Sequence, residues 1–244
     1  MKKIIYGAVI ISVLIIALVY WLHGNLDRIV RDVIINYGSE MTQTKVSVGD
    51  VKIDMVNGKC VIKNFVLPNP KGFESPYAIK VNEFTLEISP STLRDQIIEI
   101  KKIEIISPDI VYENAEKNTN FDVLQQNISA YLGPAKVKSP NDKKIIVHHL
   151  SITNGKVKAL AAFMNGQSVD FDLPDVYLKD LGRAENGLTP GQLGHAIVSV
   201  LRKELIGTIN FTKLAKDILG TAGDLAGVVQ ESSSEVVNKL KSLF

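Results

Sequence analysis

IIEIKKIEIISPDIVYE, Ile97 to Glu113, is the stretch whose reading decides the fold. It is rich in β-branched residues and alternates with the period of a strand. The pairs Ile97-Ile98, Ile105-Ile106 and Ile110-Val111 place apolar side chains on both faces, as a sheet with a groove on one side and helices on the other would need. The alternation slips once, at Lys101-Lys102, and Ser107-Pro108 interrupts it, so the stretch predicts two strands. IEIKKIEIISPDIV (Ile98 to Val111) aligns without gaps on IIVHHLSITNGKVK (Ile145 to Lys158). The alignment pairs Ile98 with Ile145, Ile100 with Val147, Ile103 with Leu150, Ile105 with Ile152 and Ile110 with Val157. Val46 to Gly58 repeats the start of the unit through Val46, Val48, Val51 and Ile53. A degenerate repeat of this kind predicts one supersecondary unit used more than once.

Working outward, Asn57-Gly58 predicts a hairpin into a strand carrying Cys60, Ile62 and Val66. Pro68 to Gly72 ends that strand, and Tyr77 to Ser89 predicts the next. Phe121, Leu124, Ile128 and Leu132 mark a helix with Asn120 as its N-cap. Strands resume at Ile145 to Thr153, Lys156 to Met164, Ser168 to Leu173 and Val176 to Leu181, with Asn154-Gly155 and Asn165-Gly166 read as hairpin turns. Asn25 to Met41 has the three- and four-residue spacing of an amphipathic helix through Leu26, Ile29, Val30, Val33, Ile34 and Tyr37, with Gly38 as its stop.

Thr189-Pro190 opens a C-terminal helical region, an N-cap followed by proline at the first helical position. Its stripe includes Leu193, Ile197 and Leu201, and a second amphipathic region after Asn210 includes Leu214, Ile218 and Leu240. These six are the candidates for self-association or a protein partner.

Ile4 to Leu22 reads IIYGAVIISVLIIALVYWL, without a charge. Nineteen residues at about 1.5 Å each approach the ~30 Å hydrocarbon core. Lys2 and Lys3 precede the run, and Tyr20-Trp21 close it. The positive-inside rule then predicts a cytoplasmic N-terminus and a body across a bacterial inner membrane. A cleaved secretory signal has a shorter apolar core and small residues at the cut, whereas this run ends in Val19-Tyr20-Trp21-Leu22. A buried core helix would need a polar face, which the run lacks.

The chemistry-bearing residues are sparse. Net charge is +2 without a long basic run, so the footprint of a nucleic-acid binder is missing. Cys60 is the single cysteine and alternates with Ile62, which reads as a small core residue. His148 and His149 are adjacent on a strand, a spacing unsuited to joint chelation. Asp170 and Asp172 share a strand face with no calcium-loop pattern after them. G-x-S-x-G, P-loop and G-x-G-x-x-G motifs are absent, and neither catalytic residues, a metal nor a cofactor is implied.

Four stretches in order resemble the periplasmic AsmA-like family, relatives of TamB and YdbH. They are YGSEMTQTKVSVGDVKID (Tyr37 to Asp54), NGKCVIKNFVLPNPKGFESPYAIKVNEFTLEISPSTL (Asn57 to Leu93), Ile97 to Glu113, and Ile145 to Lys158. The resemblance implies an elongated β-groove with an apolar inside, of the kind used by bridge-like lipid-transfer proteins. The expected class is therefore α+β: a transmembrane helix, then a curved, mainly antiparallel sheet with flanking amphipathic helices. The expected divisions are an anchor over 1–24, a β-groove domain over 25–181 and a helical region over 182–244. Groove candidates are Ile53, Ile62, Leu86, Ile103, Ile105, Leu150 and Ile152. The expected ligand is a phospholipid or other acyl chain, and the role lipid binding or transfer in envelope maintenance. The other reading is a non-catalytic scaffold, a homo-oligomer or envelope-complex component acting through the C-terminal helices. About nine strands at ~4.8 Å would reach ~45 Å, short of a bridge.

Overall fold

The repeat found in the sequence is a pairing in space. In the computed structural model, β4 (Ile97–Ile106) and β5 (Asp109–Ala115) run parallel to β7 (Lys144–Thr153) and β8 (Lys156–Ala161). The register couples Ile98 to Ile145, Ile100 to Val147, Ile103 to Leu150, Ile105 to Ile152 and Ile110 to Val157. Each aligned apolar residue therefore lies beside its counterpart.

The structure describes residues 25–115, 117–133, 143–164 and 166–211. The expectations for the Ile4–Leu22 anchor and for Leu214, Ile218 and Leu240 fall outside these residues. Among the described residues no helix is long and apolar enough to cross a membrane.

Among the described residues the fold is α+β, with three α-helices and a mixed, mostly antiparallel ten-stranded sheet. Helix α1 covers residues 25–42. After it come β1 (Asp50–Asp54), β2 (Lys59–Pro68) and β3 (Tyr77–Ile88), paired antiparallel in sequence. Strand β3 then carries both β4 and β5 along its far side. The two-residue β6 (Asn118–Thr119) turns the chain into helix α2 (Asn120–Leu132). Beyond β7 and β8 lie β10 (Val176–Leu181) and β9 (Val169–Asp172), and helix α3 (Pro190–Thr208) follows. Because β4–β5, β7–β8 and β9–β10 each form one interrupted rank, six ranks lie side by side. Their width is about 24 Å at ~4.8 Å per gap, roughly half the ~45 Å expected from counting strands singly.

The interruptions fall on one line. Ser107 and Asn154 adopt left-handed backbone angles, φ 52 and 54, and sit adjacent, the Ser107 amide donating to the Thr153 carbonyl at 2.8 Å. Asn154-Gly155 is therefore not a hairpin turn: β7 continues into β8. Asparagine tolerates left-handed backbone well, and a Cβ on Gly155 would come 2.9 Å from the Leu173 side chain. The slip at Lys101-Lys102 is a bulge, since Ile88 pairs with Ile100 but Glu87 with Lys102. The extra residue resets the phase, so Ile100 and Ile103 are both buried. Asn57-Gly58 does turn a hairpin, and a Cβ on Gly58 would strike the Ile88 carbonyl oxygen at 2.2 Å.

Two further local expectations need correction. Gly38 does not stop α1, which runs to residue 42; the glycine lets the helix approach the Val46 side chain closely. The cap of α2 is Thr119, whose hydroxyl accepts from the Asp122 amide while Asp122 accepts from the Thr119 amide. Asn120 instead sits fully buried, donating to the Val111 carbonyl and to Asn69 Oδ1, each at 2.7 Å, and accepting from the Glu113 amide. The Thr189-Pro190 start of α3 stands as read, closed by Gln192.

Candidate functional site

Helices α1, α2 and α3 do not fill the sheet face they cover. Between them and the strands lies an apolar cavity of about 450 Å³, within the roughly 300–1,000 Å³ typical of small-molecule sites. Val81, Phe84 and Leu86 of β3 line one wall, continued by Ile103 and Ile105 of β4 and Ile152 of β7. The opposite wall is Val33, Tyr37 and Met41 of α1, Ile128 of α2, and Gly194, Ile197 and Leu201 of α3. The fold explains why these residues meet. The bulge at Lys101-Lys102 and the parallel register bring the second half of each repeat to the same face, under the crossing of the helices.

The two polar side chains on its wall have partners already. The Thr42 hydroxyl donates to the Gly38 carbonyl at 2.7 Å and lies 2.9 Å from Thr44 Oγ1. Tyr37 meets Tyr131 of α2 edge to face, with ring centroids 5.7 Å apart. Its hydrogen bond to Tyr37 is the main cause that pushes the Tyr131 phenol up, and burial adds to it. Such a lining offers an incoming molecule dispersion and release of water but no charge, and a polar group buried there would be left unpaired.

The sequence candidates divide cleanly. Leu86, Ile103, Ile105 and Ile152 line the cavity. Leu150 is fully buried in the adjoining core. Ile53 and Ile62 belong to a second cluster with Val48, Val51 and Cys60, packed against Val30 and Ile34 of α1. Ile53 also lines a smaller cavity of about 180 Å³ there. Burial pushes the Cys60 thiol up to about 11, with the Asp27 charge adding to it. Of the association candidates, Ile197 and Leu201 face the large cavity and Leu193 packs on the main core. The α3 stripe is thus used within the chain, in one core with the sheet. Sequence reading placed Val33 and Tyr37 on an apolar helix stripe without assigning them to the groove, and it missed Met41. The spacing of Val33, Tyr37 and Met41 by four residues is the signal that could have found them.

Outside the cavity, Glu113 is buried and acts as a clamp. Its carboxylate accepts from the Glu74 amide at 2.6 Å, the Ser75 amide at 3.0 Å and Asn69 Nδ2 at 3.2 Å, fixing the Asn69–Ser75 loop. His148 of β7 lies between Glu99 at 3.3 Å and Asp180 at 3.4 Å. Asp170 and Asp172 are exposed, and Asp172 pairs with Lys156 at 2.5 Å. Among the described residues no group of histidine, cysteine and carboxylate side chains could hold a metal ion. Comparison with protein families, curated proteins and solved structures finds no match to this chain.

Proposed function

We propose that this protein is a non-catalytic lipid-binding protein that takes an acyl chain into the cavity beneath α1 and α3. It is anchored in a bacterial inner membrane by Ile4–Leu22, with its body on the periplasmic side. The observation that carries this reading is the cavity: about 450 Å³, walled by aliphatic and aromatic side chains and free of charged ones. Each methylene moved into it from water gains about 0.8 kcal/mol, so a long chain binds without any polar contact. The uncharged run before α1 supports a site beside a bilayer. The AsmA-like resemblance supports lipid handling and a place in envelope maintenance. Six ranks of strand are too narrow to bridge two membranes alone, which favours binding or local hand-over, or several copies together.

The test is lipid extraction from the full-length chain purified in mild detergent, followed by mass spectrometry. Phospholipid retained by the wild type and depleted in Ile105→Asp, with both proteins equally folded, is the expected result. A wild type free of lipid would sink the reading and leave the scaffold role as the better account.

A further inference from the structure

Helix α1, one wall of the cavity, is more exposed along its course than at its last residue. Along the helix stripe Ile29 is 39% exposed, Val33 56% and Tyr37 38%, while Met41 is half-buried and Thr42 beside it is 4% exposed. Val33, Tyr37 and Met41 all line the cavity, which therefore follows α1 for about 12 Å at 1.5 Å per residue. The exposed end points back toward residue 25, where the chain joins the uncharged run Ile4–Leu22. At the other end, Met41 meets the first turns of α3. A Cβ on Gly194 would lie 2.8 Å from Met41 Cε and 3.2 Å from Sδ, and one on Gly191 would lie 3.8 Å from the same sulfur. These two glycines form a seat for the thioether. On the far side of Gly191, Leu132 of α2 closes the junction, 2.9 Å from where its Cβ would be.

We propose that the cavity is a blind slot for one acyl chain of a membrane phospholipid, entered at Val33, and that Met41 seated on Gly194 is its floor and sets the length of chain accepted. This rests on the lipid-binding reading above. A phospholipid is favoured as the source because the mouth opens on the helix that continues the apolar run. The headgroup stays outside, since nothing charged lines the interior. Methionine suits a floor because its unbranched thioether adjusts to whatever chain end it meets. Chain preference then follows from depth: each methylene that fits adds about fourfold in occupancy, and one that does not fit adds nothing.

The experiment compares the acyl chains of phospholipid co-purified with the full-length wild type, Gly194→Ala and Met41→Ala, each normalised to the lipids of its own membranes. Alanine at Gly194 favours the helix and drives the flexible end of Met41 into the slot. The profile should shift to chains shorter by about one or two methylenes, each longer homologue falling about fourfold per methylene. Met41→Ala should shift it the other way. Thermal melting of all three proteins controls for folding, and because the two shifts oppose each other, a general loss of stability cannot imitate them. Phospholipid bound by all three with the same profile overturns the floor and leaves lipid binding standing. Free fatty acid in place of phospholipid overturns the source. No lipid in the wild type overturns both proposals.

Discussion

Two stretches of one sheet face carry the same kind of side chain and meet different fates. Over β5 and β8, helix α2 packs tightly: Phe121 and Leu124 of α2, Ala159 of β8 and Leu205 of α3 are all fully buried. Over β3 and β4, helix α1 leaves a void against Phe84, Ile103 and Ile105. The strands do not make the difference; the helices above them do. The start of α2 is fixed by its Thr119–Asp122 capping box, by Asn120 on Val111 and Asn69, and by Arg202 of α3, 2.5 Å from Asp122. The ends of α1 are held by Asp27, which accepts from the Ile53 amide at 3.0 Å, and by Asn127, which donates to the Thr42 carbonyl at 2.8 Å. Between those points Gly38 of α1 and Gly194 of α3 line the cavity, and each takes the close approach of one side chain, Val46 and Met41.

The largest expected effect comes from truncating the packed part. Phe121→Ala should cost about 3–5 kcal/mol in chemical denaturation of the full chain, because both contacts and volume are lost. Ile105→Ala, beside space already empty, should cost about 1 kcal/mol or less. Equal costs would erase the distinction between core and cavity.

Next in size is the Glu113 clamp, which ties the Asn69–Ser75 loop to the strand leading into α2. Glu113→Gln keeps the shape but replaces charge-assisted bonds with a mismatched amide, at about 2 kcal/mol. Hydrogen exchange should quicken at the Glu74 and Ser75 amides while the cavity still binds lipid. Unchanged exchange there would show that the loop is held by packing alone.

The smallest effect is a pH dependence. Burial works to raise the Asp122 carboxyl, but hydrogen bonds from Thr119 and Arg202 outweigh it and hold the group below its ordinary 3.8. A carboxyl depressed in the folded state contributes stability that is fully present above 3.8 and is lost as pH falls through the folded value. Asp122→Asn should therefore lower stability by about 1 kcal/mol near neutral pH, by loss of cap and ion pair. It should also flatten the acid limb of the denaturation profile. An unchanged acid limb would remove Asp122 from the account of how α2 is fastened.

Much of this was legible in the sequence, for physical reasons that can be named. Alternation with one slip identified β4 and β7, and in β4 the slip is the bulge against β3. The gapless match of Ile98–Val111 to Ile145–Lys158 foreshadowed their register, because parallel partners repeat in the same direction. Asn154-Gly155 misled because the same dipeptide serves a hairpin or an interrupted strand, and only long-range pairing decides which. Gly38 misled because a glycine that ends a helix and one that lets a neighbouring side chain approach read alike. Of the groove candidates, Leu86, Ile103, Ile105 and Ile152 reached the cavity, while Leu150 did not, although it occupies the same place in its repeat as Ile103. Which apolar residue faces a void depends on the helix lying above it, and alternation along a strand does not encode that.

The most direct test sets two neighbours against each other. Ile105 lines the cavity, while Ile106, the next residue of β4, is 54% exposed. A photo-crosslinking amino acid at each position, irradiated in living cells, samples the two sides of one strand without disturbing the packed part. Lipid adducts are expected at position 105 and none at 106. Adducts at 106 alone, or at neither position in a protein that is folded and abundant, would contradict a lipid-holding cavity.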